Sequence, residues 1–130
     1  MKYVLLLIGM IFFHIVDDYY LQGWLAQAKQ RQWWEQNAPQ PLYQNDYIMA
    51  LMEHALSWTI MIHIPVVVFL YFSNMLENAT ILFLFLFCIN WMIHAIVDDM
   101  KANKRIINLV TDQCIHFVQI GLTWILYILF

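Results

Sequence analysis

Four stretches of the chain stay apolar for about the length of a membrane crossing, and the polar residues fall between them or near one end of each. They cover about residues 3–25, 47–72, 79–100 and 106–130. A helix needs about 20 residues to cross the hydrocarbon core. Strand-like alternation is absent, and Gly and Pro number only three each. The pattern predicts an all-α, four-helix transmembrane bundle in one domain covering residues 1–130. Pro65 falls inside the second helix and is expected to kink it. Lys2 and the apolar run Tyr3 to Phe13 resemble a signal peptide. No small-x-small cleavage site follows, so this stretch reads as a retained first helix.

The links differ in character. Ser73 to Asn78 and Lys101 to Arg105 are short and imply antiparallel neighbours. The link Gly23 to Asp46 is longer and holds Trp24, Lys29, Arg31, Trp33, Trp34, Pro39 and Pro41. Its first part, Trp24 to Trp34, reads either as an amphipathic segment lying in the interface or as an extension of the first helix beyond the membrane. Pro39-Gln40-Pro41 ends it in both cases.

Charge sets the orientation. With four crossings the first and third links share a side, and they hold Lys29, Arg31, Lys101, Lys104 and Arg105 against Lys2 alone on the other. The positive-inside rule makes these links cytoplasmic. Both termini are then periplasmic in a bacterial inner membrane.

Composition agrees: 63% of residues are hydrophobic and 12% charged, where a soluble domain carries about 25% charge. Membrane lipids are therefore the expected surroundings, with a homo-oligomer or a membrane-protein partner as further possibilities. The net charge of −3 and the lack of a basic run beyond residues 101–105 argue against nucleic acid. Cys88 and Cys114 form no CxxC pattern and read as small buried hydrophobes.

Ionisable residues are not scattered. His14, Asp17 and Asp18 end the first apolar stretch. Glu53 and His54 begin the second, His94, Asp98 and Asp99 end the third, and Asp112 and His116 begin the fourth. In antiparallel helices all of these converge on one depth. His14 and Asp18, His94 and Asp98, and Asp112 and His116 are each four residues apart, on one helix face. Charged groups at such depth face a bundle interior or a cavity. Several carboxylates together repel unless a cation joins them. Imidazole with carboxylate suits a divalent transition metal, zinc first, with manganese or iron as alternatives.

The candidate metal ligands are His14, Asp18, His54, His94, Asp98, Asp112 and His116. Seven exceed the needs of one tetrahedral ion, so either two ions bind or some of the seven orient the others. The competing reading is hydrogen-bonded glue between helices with no metal. Asp17 and Asp99 point about 100° away from their neighbours and read as solvated interfacial charges, with a general base as the alternative. Glu53 reads equally as ligand or interfacial charge. His63 reads as a packing or hydrogen-bonding residue, and Asn90, Asn108, Gln119 and Thr123 as interhelical hydrogen-bond groups.

These motifs resemble a known family. His14-x-x-x-Asp18-x-x-x-Gln22, followed by Lys29, resembles the opening signature of the DUF3307 family of small bacterial and phage membrane proteins. His94-x-x-x-Asp98-x-x-Lys101 resembles its second signature and Asp112-Gln113-x-x-His116 its third. His54-Ala55-Leu56 resembles a middle motif in which a second histidine often follows. Trp58 stands there instead, which leaves a ligand missing or replaced by Glu53. The resemblance covers most of the chain and implies the constellation rather than a reaction. A looser likeness is to membrane-bound metal-dependent hydrolases.

The leading functional expectation is a metal-dependent membrane hydrolase acting on a lipid or lipid-linked substrate at the cytoplasmic face, with Lys101 and Arg105 at the mouth drawing in an anionic headgroup or serving only as positive-inside anchors. One rival is a non-enzymatic membrane effector whose His/Asp cluster is structural. The other is a metal-ion or proton transport component, against which the apolar outer halves of the helices count. The absence of a Gly-rich phosphate loop, a dinucleotide fingerprint and a nucleophile motif disfavours those enzyme classes.

Overall fold

The computed structural model describes residues 1–130 and is all helical, with no strand. Helix α1 (Lys2–Val16) continues into a π-helical turn (Asp17–Leu21). Two short helices follow, α2 (Leu25–Ala28) and α3 (Arg31–Asn37), then a 3-10 turn (Pro41–Tyr43). The long helices α4 (Asp46–Phe72), α5 (Thr80–Ala102) and α6 (Leu109–Leu129) complete the chain. Four spans are long and apolar enough to cross a membrane: α1 with its π turn, α4, α5 and α6. The shortest, Lys2–Leu21, has 20 residues and reaches roughly 30 Å at 1.5 Å per residue, the thickness of a hydrocarbon core.

Helix α4 packs against α1 and α5, and α6 closes the bundle against the same two helices. The interior is polar where a soluble bundle would be apolar. Fourteen of the 31 buried residues are polar or charged. Large apolar side chains such as Leu5, Phe12, Ile81, Phe85 and Leu122 face outward instead. This inversion suits lipid as the solvent, because water would not tolerate so large a continuous apolar surface. A separate apolar core fills the half of the bundle nearer the termini, around Leu6, Ile62, Val66, Leu70, Leu86 and Ile120.

Several expectations change. The first helix stops at Leu21, and the chain turns at Gly23 with φ +46°, a conformation only glycine adopts without penalty. Trp24 to Trp34 is therefore no straight extension of α1. It folds back, with α2 and α3 packed on α4, and Trp24, Trp33 and Trp34 form an edge-to-face cluster with centroids 5.0–6.1 Å apart. The Asn103 side chain ties this segment to the end of α5. Its amide donates to the Lys29 carbonyl at 3.1 Å, and its Oδ1 accepts from the Arg31 N–H at 2.7 Å.

Pro65 lies inside a continuous α4. Its ring faces Gly9 of α1, where a Cβ would come within 2.9 Å of the Pro65 Cβ. Cys88 and Cys114 are exposed on the outer surface rather than buried, because hydrophobicity alone does not distinguish core from lipid in a membrane helix. Asn108 caps α6, its side chain accepting from the Thr111 N–H at 2.9 Å, instead of bridging helices.

Candidate metal centre

The end of the bundle beneath α2 and α3 gathers the ionisable residues of all four long helices. His14, Asp17, Asp18, His54, His94, Asp98, Asp112 and His116 are all buried. His54 of α4 is the hub. Its Nε2 lies 3.5 Å from Asp18 Oδ1, 3.3 Å from Asp98 Oδ2 and 3.4 Å from His94 Nε2. Ligands held tetrahedrally about 2.0–2.1 Å from a first-row ion sit about 3.3–3.4 Å from one another. His94 Nε2 and Asp98 Oδ2 are somewhat wider apart, at 3.9 Å. Asp18, His54 and His94 form one group whose ligand atoms all lie within 4.8 Å of one another; His94, Asp98 and His116 form a second. The two groups share His94. Asp98 connects them through its two oxygens, Oδ2 toward His54 and Oδ1 at 3.7 Å from His116 Nε2.

The polar atoms here are poorly satisfied by the protein itself. Asp18 Oδ1, His94 Nδ1, Asp112 Oδ1 and both nitrogens of His116 are buried with no hydrogen-bond partner. Buried polar groups are nearly always paired, and each orphan costs about 1–3 kcal/mol. A cation beside Asp18 Oδ1 would satisfy that oxygen, and the donor set there, two imidazoles with a carboxylate, fits a metal.

Of the seven sequence-predicted ligands, five fall into these two groups. The other two serve different roles. His14 is engaged at both nitrogens: Nδ1 accepts from the Trp58 indole N–H at 2.7 Å, and Nε2 donates to Gln113 Oε1 at 3.1 Å. These bonds tie it to α4 and α6, outside both groups. Asp112 lies 3.4 Å from His116 Nε2 and accepts from Lys101 at 2.6 Å and from Gln113 at 3.1 Å. It supports the cluster from outside both groups. Gln113 ties α6 to α1 by donating to Asp18 Oδ2 at 3.0 Å as well.

Trp58 occupies the place of the expected second histidine. It is fully buried, and its ring stacks on His94 at 4.2 Å. Glu53 is exposed and replaces no ligand. Asp17 is buried, not solvated, accepting from Ser57 Oγ at 2.6 Å and lying 3.7 Å from His54 Nδ1. The π turn alters the angular spacing assumed for an α-helix, and α4 supplies Ser57 and His54 on that side. Asp99 stays partly exposed beside Asn103 and Lys104.

Two cations join the cluster. Lys29, buried at 6% exposure, places its ammonium 2.5 Å from Asp98 Oδ2. Lys101 reaches Asp112 at 2.6 Å and Asp98 Oδ1 at 3.5 Å. In the sequence Lys101 reads as a headgroup contact at the mouth or as a positive-inside anchor, and Lys29 as a charge of the first link; only the fold-back at Gly23 brings Lys29 over α5. The four buried carboxylates (Asp17, Asp18, Asp98 and Asp112) thus lie among two lysines and the imidazoles of His54 and His116.

Toward the far end, Asn90, Gln119 and Thr123 join α5 to α6. The Asn90 amide donates to Thr123 Oγ1 at 2.9 Å, and the Gln119 amide donates to Asn90 Oδ1 at 2.8 Å. His63 contacts the Thr59 carbonyl through Nδ1 at 2.8 Å and packs between Phe83 and Phe87.

Comparison with protein-family models, with curated proteins and with solved structures gives no match, so the likeness to DUF3307 rests on the motifs alone.

Proposed function

We propose that this chain is a metal-dependent hydrolase of the bacterial inner membrane, acting on a lipid or lipid-linked substrate at the cytoplasmic face. The observation that carries this reading is the spacing around His54 Nε2, with Asp18, Asp98 and His94 atoms at 3.3–3.5 Å. One divalent ion, zinc before manganese or iron, matches that spacing. Held there, the ion supplies Lewis acidity to the scissile bond.

The protein's own groups do the rest. Asp17, fixed by Ser57, lies 3.7 Å from His54 Nδ1, on the side of the ring where outer carboxylates stand beside ligating histidines. His116 has no hydrogen-bonded partner and stands beside Asp98 and Asp112. It is the group placed to accept a proton from the attacking water, with Asp112 stabilising the imidazolium. Elemental analysis of detergent-purified protein tests the reading. About one equivalent of metal is expected in the wild type and none in the His94→Ala, Asp98→Ala double variant. A well-folded wild type that takes up no metal after reconstitution sinks it.

One observation favours a second reading. Lys29 and Lys101 already hold oxygens of Asp98 and Asp112 at 2.5 and 2.6 Å. In that reading the cluster is a metal-free ionic core that locks four helices in a non-enzymatic membrane effector. Transport has less support, because the polar groups beyond the cluster satisfy one another at Asn90, Gln119 and Thr123 and give way to the apolar core.

A further inference from the structure

A cavity of about 360 Å³ opens beside the cluster, between the segment after α1 and the end of α5. Gln22, Lys29, Gln30, Lys101 and Arg105 line it, with two alanines and no carboxylate. The chain has more acidic than basic residues, yet three of its six Lys and Arg side chains meet here. The acids that pair with two of them, Asp98 and Asp112, accept through Oδ2, and each ammonium has three donors, so donors remain for a ligand. Arg105 is exposed and donates to Gln32. It takes φ +55° in the turn that ends α5. A volume of about 360 Å³ falls in the usual range of small-ligand pockets, roughly 300–1,000 Å³.

We infer that this cavity binds a phosphate-type oxyanion carrying net negative charge. Arg105 and Lys101 contact the oxyanion, and Lys29 forms the floor between it and Asp98. Position names the favoured source. The cavity lies where the first span ends at Leu21 and where α5 ends at Ala102, beside the tryptophan cluster that marks a headgroup layer. An anionic phospholipid headgroup lies at that depth, and a soluble phosphoester carries the same chemistry. The site needs no metal, so it stands apart from the hydrolase reading.

The test uses full-length protein stripped of metal with a chelator and held in neutral detergent. Retention of phosphatidylglycerol and of phosphatidylcholine is read by native mass spectrometry, with inorganic phosphate as competitor. Phosphatidylglycerol is retained over phosphatidylcholine. Arg105→Gln weakens that retention by about tenfold, equivalent to about 1.4 kcal/mol. Lys104→Gln, which removes a neighbouring cation paired with Asp99 outside the cavity, leaves it unchanged. Competition by phosphate identifies the phosphoryl group itself as what is bound, from lipid or soluble ester; persistence against phosphate identifies the lipid. Equal retention of the two lipids, or equal weakening in Arg105→Gln and Lys104→Gln, overturns the inference. Failure of the hydrolase reading shows in the metal content and leaves this result untouched.

Discussion

The indole N–H of Trp58 donates to Nδ1 of His14 at 2.7 Å, which fixes the imidazole in its Nε2–H form and hands that proton to Gln113. A histidine with both nitrogens so engaged is placed to position its neighbours rather than to ligate. Trp58→Phe keeps most of the buried ring and removes only the donor. It is expected to cost about 1–3 kcal/mol of stability while leaving metal content near that of wild type. Thermal unfolding in detergent, with elemental analysis of the same sample, reads both. Loss of metal as complete as in His94→Ala would return His14 to the ligand set.

The two groups of ligand atoms share His94, whereas Asp18 belongs to one and His116 to the other. His94→Ala is therefore expected to abolish binding whichever group holds the ion. Asp18→Ala and His116→Ala separate the two. An ion centred on His54 is lost with Asp18 and kept with His116, and the second variant then loses activity while retaining metal. The opposite pattern moves the ion to the Asp98 and His116 side and removes His116 from its role as proton acceptor.

Much of this arrangement was legible in the chain. Apolar runs of membrane-spanning length define the four long helices, and the i, i+4 pairs His14/Asp18, His94/Asp98 and Asp112/His116 place the polar layer, because both follow from helical periodicity alone. What was hidden depended on tertiary contacts. Lys29 looked like a loop cation because nothing local shows that Gly23 turns the chain back over α5. Asp17 looked solvated because a π turn has no sequence signature here. Trp58 looked like a lost ligand because stacking on His94 and donating to His14 are interhelical events. Cys88 and Cys114 were misplaced because lipid and core reward the same residue types.

The buried pair of Lys29 and Asp98 has its own consequence. Taking away one partner strands the other charge inside the bundle, at a cost of about 3–5 kcal/mol. Lys29→Met should therefore destabilise strongly, whereas Lys29→Met combined with Asp98→Leu should destabilise far less than the sum of the singles. Salt should not mimic the single variant, because screening acts weakly on buried pairs. A double-mutant cycle in detergent measures the coupling. Strictly additive effects would mean that the 2.5 Å contact contributes nothing to holding the folded-back segment on α5.

Gly9 determines how closely α1 can approach α4. A Cβ there meets the Pro65 Cβ at 2.9 Å and its Cγ at 3.5 Å, and a proline ring cannot rotate away as a flexible side chain does. Gly9→Ala must push the helices apart, with an expected loss of about 1–3 kcal/mol, the usual cost of overpacking. Because α1 leads into Asp17 and Asp18, that shift also widens the gap between Asp18 and His54 and weakens metal retention from a distance. Gly121 of α6 is the control, since a Cβ there meets nothing within 4 Å. Gly121→Ala should be neutral or stabilising by up to about 1 kcal/mol through helix propensity. Thermal melts of both variants with metal analysis separate the cases. If Gly9→Ala melts with wild type and holds its metal, the Gly9–Pro65 contact does not position α1, and the depth of Asp18 is set instead by Gln113 across the bundle.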